Sequence, residues 1–346
     1  MTRTVLVFLL LSGLAAAAPP GLAEKLATIR RTGHMQIGVS VVNIESGQRV
    51  DIDGNRPYPL ASVFKLPVMI ELAHQVQHHE RGLSLQTPLT VTADVKCLGS
   101  GELKHARLGT TVTLARAVEL METISDNTAA DLVFNTIGVD SVNRLMHGLG
   151  FVHSNIYLTN RAAWLISLGL GRDLRGLGAQ GIIDRWTSWS QAEREAEAGK
   201  IVEENKGLSL SAFQAAETAS ESRPYLVDRM VAEVTDNQAS PSDIADLLVK
   251  LYKGELLDRQ WTDYCLGVLS RQKYNSRIPR LLPAGTVVYH KTGTLEGIVN
   301  DAGIIELGPD NHVVVVVFVK RIARGADGEA GTAIARIARA AYDAWR

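Results

Sequence analysis

Strand-like segments lie at both ends of the chain and helical ones between them, and this distribution restricts the fold more than any other feature. Residues 35–42 (MQIGVSVV) are β-branched and apolar, Glu45-Ser46-Gly47-Gln48 supplies a turn, and residues 49–53 alternate, which reads as a hairpin. Residues 285–290, 302–307 and 312–319 are strand-like near the other end, and residues 331–345 close the chain as an Ala-rich helix. Between them, residues 60–77 and 114–136 carry helical periodicity, the second behind a capping Thr113. The expected fold is mixed α/β, strictly α+β: an antiparallel sheet formed from both chain ends, packed with helices and carrying an inserted all-helical lobe. A single domain over 22–346 is expected, with the sheet lobe at about 22–59 and 256–346 and the helical lobe at about 60–255.

One stretch, about 161–235, departs from the rest. It mixes a Gly-rich apolar part (168–183), Trp186 and Trp189, and a charged Ala/Glu-rich run (191–205) that reads as a solvated helix. Ser240-Pro241-Ser242-Asp243 then forms a strong helix start, with Pro in the first turn and acid near the N-terminus.

With 46% hydrophobic and 21% charged residues in 346, the chain can bury a substantial core. Lys plus Arg number 36 against 37 Asp plus Glu, so charge points to neither nucleic acid nor an anionic membrane as partner. The N-terminus has a basic start (MTR), an apolar stretch at 5–14 and the small residues 15–18 before Pro19-Pro20, the layout of a cleaved export signal over 1–18. That apolar stretch is too short for the about 20 residues a membrane span needs, so no stable anchor is expected and the protein belongs in the periplasm or outside the cell. Cys97 and Cys265, the only cysteines, read as two free buried thiols rather than a disulfide framework.

The chemistry begins at Ser62-Val63-Phe64-Lys65. At a helix start, an S-x-x-K places Lys65 on the face of Ser62, about 5–6 Å away between Cβ atoms. A serine hydroxyl needs a neighbouring base, and a lysine serves if burial lowers its pKa. The motif alone is weak, because Ser270-Arg271-Gln272-Lys273 is a second copy; it lies in a polar stretch at a helix end and receives no role. Ser125-Asp126-Asn127 and Lys291-Thr292-Gly293 raise the specificity, in that order and in the contexts PLASVFKLPV, LMETISDNTAADLV and HKTGT.

With these three motifs the chain resembles the class A β-lactamases and the penicillin-binding proteins that share their fold. The resemblance runs from Ile37 to the C-terminal helix, except between about 161 and 235. It implies that Ser62 attacks the substrate carbonyl, Lys65 takes or relays the proton, and Ser125 passes a proton to the departing nitrogen. Asn127 would meet the substrate's side-chain carbonyl, while Lys291, Thr292, Gly293 and Thr294 would receive the substrate carboxylate. The backbone N–H groups of Ser62 and Thr294 would form the oxyanion hole. No cofactor and no metal is implied, and the partner is a small β-lactam or a peptidoglycan-like acyl substrate met by a monomer.

The chain departs from that family in one element. Class A enzymes carry a Glu in a loop after the S-D-N helix, which activates the deacylating water; here no Glu occurs between Thr123 and Ala192. Leu158-Thr159-Asn160-Arg161-Ala162 stands at that place, where Asn160 and Arg161 can shape a loop but neither is a base at neutral pH. An acid from beyond the insertion, Glu217, Glu221 or Glu233, would have to come back into the site. Three functions remain open: β-lactam hydrolysis, fast or slow; D,D-peptidase or esterase action; and a covalent β-lactam sensor or trap. Weaker signals are His74 and His78 at metal-ligand spacing without a third ligand, His290 as a solvated strand residue beside Lys291, Glu296 at the rim, and Cys97 near the cleft entrance.

Overall fold

Alternate residues of the strand Asn311–Lys320 feed two different cores. Val313, Val315, Val317 and Val319 pack with Ile37, Val39 and Val41 of the neighbouring strand under the C-terminal helix, whereas Val314, Val316 and Phe318 face the central helices. A run of consecutive valines suits this position, because a strand buried on both faces needs no polar alternation. The computed structural model describes residues 18–31 and 35–346. The export-signal reading falls almost wholly on residues outside these.

The main sheet has five antiparallel strands in the order Arg49–Ile52, Gln36–Asn43, Asn311–Lys320, Ile298–Gly308, Val288–Leu295. The first two pair as the expected hairpin, Val41 opposite Val50. The sheet is thus assembled from both chain ends, as the sequence leads one to expect. Helices Leu22–Arg30 and Asp327–Trp345 cover one face; Lys65–Gln77, Pro241–Tyr252 and Arg259–Leu269 bury the other.

Two helices differ from expectation, both at the site. Residues 60–77 begin as a 3₁₀ turn, Ala61–Phe64, before the α-helix Lys65–Gln77. The periodic stretch 114–136 is two helices, Leu114–Thr123 and Asn127–Ile137, broken at Ser125. Ser125 takes a left-handed φ of 58°, and Asp126 caps the second helix by accepting from Ala129 N at 2.9 Å. Hydrophobic spacing carries through the break because both helices bury the same face, so periodicity alone does not register it.

Residues 160–234 form five helices, among them Asn160–Ser167, the capping-box helix Gln191–Glu204 and Tyr225–Val234. Leu165, Ile166, Trp186, Ile201 and Phe213 give this region its own core. Among the described residues no helix is long and apolar enough to cross a membrane.

Candidate active site

Lys65 is fully buried in the first turn of its helix, and its ammonium is the hub of the site. Lys65 Nζ donates to Ser125 O and Asn127 Oδ1, both at 2.8 Å, and reaches Ser62 Oγ and Ser125 Oγ at 3.2 Å. Burial pushes its pKa down to about 8, against the pull of Glu122, Asp126 and Asp131 toward the charged form. From the sheet side, Lys291 Nζ donates to Ser125 Oγ at 3.0 Å and to Thr292 O at 2.9 Å. Burial first, and then the Lys65 charge, also lower the Lys291 pKa. Ser125 therefore sits between two ammonium groups, placed to receive a proton from one side and hand it on.

The backbone is bent at both serines. Ala61, immediately before Ser62, has φ 46°, and Ser125 has φ 58°, conformations that cost a non-glycine residue of order 1–3 kcal/mol each. Asp236 Oδ2 accepts from Ala61 N at 2.6 Å and holds the first bend; the lysine bonds and Ser100 Oγ, which donates to Ser125 O at 2.6 Å, hold the second. Asp126 accepts from Glu102 N and Leu103 N at 2.6 and 2.9 Å, which ties the loop forming one wall to the S-D-N turn.

The strand Val288–Leu295 comes against the Ser62 turn through Gly293. A Cβ there would stand 2.6 Å from Leu60 O and 3.2 Å from Ser62 N, so glycine is what permits the approach. Arg277 lies along this edge, donating to Gly293 O at 2.8 Å and to Thr294 Oγ1. Together these elements enclose a cleft of about 560 Å³ whose lining includes Ser62, Ser125, Asn127, Thr292, Thr294 and Arg277. Hydroxyl, amide and guanidinium donors thus converge near a serine whose hydroxyl lies 3.2 Å from a buried lysine amine.

The structure brings together Ser62, Lys65, Ser125, Asn127, Lys291, Thr292, Gly293 and Thr294 from three distant parts of the chain. It leaves Ser270 and Lys273 exposed at the end of the helix Arg259–Leu269, away from this group. His290 differs from expectation: it is buried, its Nδ1 3.0 Å from Asp301 Oδ1 and its Nε2 3.1 Å from Asn275 Oδ1, so it braces the strand rather than meeting solvent. Cys97 is likewise fully buried, its N–H on Thr128 Oγ1, and does not stand at the entrance. Cys97 and Cys265 are both free and buried. The rings of His74 and His78 stack at 4.3 Å, and His78 Nδ1 is engaged with His74 O.

Where the glutamate-bearing loop was sought, Leu158, Thr159 and Asn160 line the cleft. Asn160 and Arg161 give their backbone N–H groups to Asp131, each at 2.7 Å, and the Arg161 side chain donates to Lys96 O at 2.8 Å and Leu208 O at 3.1 Å. Both therefore shape the loop, as read. Glu217 and Glu221 reach the cleft wall. Glu233 does not: it is bound by Lys320 at 2.8 Å and by Arg321. Sequence reasoning overlooked Asp236, Arg277 and Glu122. The Glu122 carboxyl is 1% exposed, has no hydrogen-bond partner, and interacts with both site lysines.

A family model described as the β-lactamase enzyme family matches residues 21–345. The chain belongs to this family. It is a serine hydrolase of the class A β-lactamase type, with the mixed fold of that class. Among its relatives, the extended-spectrum β-lactamase PER-1 of Pseudomonas aeruginosa is 24% identical over 337 residues, covering 94% of this chain and 88% of that protein. Among solved structures, a β-lactamase from Sphaerobacter thermophilus superposes with a TM-score of 0.65 at 27% identity, over 93% of this chain and 95% of that one. A PBP-A mutant in which glutamate replaces a leucine, determined as the acyl-enzyme complex with penicillin G, superposes with a TM-score of 0.67 at 22% identity, over 94% and 96%.

Proposed function

We propose that β-lactams acylate this enzyme on Ser62 and that deacylation, not acylation, limits its turnover. The observation that carries the reading is the Lys65 ammonium, which meets Ser62 Oγ, Ser125 Oγ and Asn127 Oδ1 at the floor of an open cleft. Neutral Lys65 takes the Ser62 proton as Oγ bonds to the lactam carbonyl carbon. The C–N bond then breaks, and Ser125, re-supplied from the lysines, gives its proton to the departing nitrogen. Lys291, Thr292, Thr294 and Arg277 receive the substrate carboxylate, whose charge favours the cationic form of Lys291 against burial. Asn127 orients the substrate's side-chain carbonyl, and the N–H groups of Ser62 and Thr294 hold the oxyanion.

Slow deacylation is supported by the loop, since Leu158, Thr159 and Asn160 occupy the cleft wall and none is an acid. A base that does not come from this loop is expected to serve the water less well, and outright loss of a general base would cost about 10²–10⁴-fold in rate. The N-terminal basic, apolar and small-residue order supports export. Pre-steady-state hydrolysis of a chromogenic cephalosporin tests the reading: a stoichiometric burst followed by slow sustained turnover is expected. A burst with no turnover makes the protein a covalent trap, and no burst at all redirects the search to peptide or ester substrates.

A further inference from the structure

The acids lining the cleft are held in different ways. Glu221 and Glu296 are exposed at its rim, Glu217 is partly so, and Asp228 lies 3.8 Å from Arg223. Asp236 alone among the cleft-lining acids of the described residues is buried, at 9% exposure, and it is fixed to the nucleophile's own turn through Ala61 N at 2.6 Å. It also precedes Asn237, which pins the loop that lacks the glutamate: Asn237 Oδ1 accepts from Tyr157 N and Leu158 N, each at 2.9 Å. Residues 236 and 237 therefore link the Ser62 turn to that loop, the first through its carboxylate and the second through its amide.

We infer that Asp236 is the general base of deacylation, activating the water that attacks the Ser62 acyl-enzyme from the side of the Leu158 loop. The inference rests on the acyl-enzyme reading given above. Water attacks the ester carbonyl carbon, and as its C–O bond forms its proton passes to the Asp236 carboxylate. The tetrahedral centre collapses by breaking the bond to Ser62 Oγ, which takes a proton from protonated Lys65. The proton on Asp236 returns to Lys65 through solvent, so that one ester and one water yield one carboxylic acid and a free serine.

Asp236 is itself one of the residues lining the cleft, next to the turn that carries Ser62. Burial raises its pKa to about 7, against the backbone N–H groups of Ala61, Asn237 and Leu60, which favour the charged form. That value suits a base working near neutrality. The charged and titratable groups lining the same cleft are Glu217 and Glu221 from one wall, Arg223 and Asp228 beside them, and Tyr274, Arg277 and Glu296 toward the sheet edge; the buried Tyr157 phenol of the loop also feels the Asp236 charge.

The test is the decay of the acylated mass after excess penicillin is removed, in the parent, Asp236→Asn and Glu217→Gln. Asn keeps an acceptor for Ala61 N, so the Asp236→Asn protein is expected to gain one penicillin mass and then lose it at least about 10²-fold more slowly than the parent. Parent decay is expected to rise with pH through about 7, as the Asp236 carboxyl ionises, and to fall again above about 8, as Lys65 loses the proton it gives to Ser62 Oγ. Glu217→Gln is expected to decay like the parent. Equal decay in Asp236→Asn and parent, a parent that never decays, or a parent decay flat between about pH 5.5 and 8.5 overturns the inference. If Asp236→Asn misfolds or is not acylated, the parent pH profile decides alone. A parent that gains no mass overturns the acyl-enzyme reading beneath it as well.

Discussion

In the proposed acylation Lys65 has to be neutral to accept the Ser62 proton, and at a pKa of about 8 only its free-base fraction would react. The acylation rate should therefore climb with pH up to about 8 and level off above it, measurable as the rate of penicillin mass gain in single turnover. Burial sets that midpoint low, and Glu122 opposes it, because its buried carboxylate favours the charged lysine. Glu122→Gln removes the attraction, lowers the Lys65 pKa further and should shift the acylation profile to lower pH; an unchanged or upward-shifted midpoint would contradict this electrostatic role. That Ser62, Lys65, Ser125, Asn127 and Lys291 meet was legible because each sits in a short motif whose spacing is itself chemical. Asp236 and Glu122 were not, since an acid's role depends on its surroundings. Asp236 meets Ala61 across 175 positions, and Glu122 faces lysines from another helix and a strand. No local pattern encodes such encounters.

The turn before Ser62, the S-D-N break and the strand Val288–Leu295 have to meet within hydrogen-bond distances, and two residues show how the elements are kept there. Gly293→Ala would press a methyl to 2.6 Å from Leu60 O, so the strand must withdraw from Ser62 N. Acylation should fall by about 10²-fold, in line with the loss of an oxyanion donor, while circular dichroism stays that of the parent. Parent-like acylation would show that the strand does not place the donor. Asn237→Ala strips the acceptor from Tyr157 N and Leu158 N and the donor, at 2.7 Å, from Leu158 O. Leaving these groups buried and unpaired should cost about 2–4 kcal/mol in urea unfolding. The break at Ser125 escaped the sequence reading because it costs no hydrophobic spacing: its marks are the capping Asp126 and a left-handed φ held by lysines from distant elements.

At the scale of the molecule, the sheet was legible because strand patterns at the two termini have few ways to be buried other than beside each other. The five-helix region was recognisable as different, but its partnership with the site was not, since its cleft-facing residues look like any polar helix surface. Trp186 is 1% exposed in that region's own core, so Trp186→Ala should cost about 3–5 kcal/mol and loosen the wall carrying Glu217 and Glu221. Thermal unfolding followed by near-ultraviolet circular dichroism would register it, and an unaltered transition would mean that this core contributes little to the fold. All of this presupposes that the convergence of three motifs marks a nucleophile. The most direct test is the intact mass of the parent and of Ser62→Ala after exposure to a penicillin. The parent should gain the mass of one penicillin and the folded variant none. A folded Ser62→Ala protein that still gains that mass would contradict the assignment of Ser62 as nucleophile.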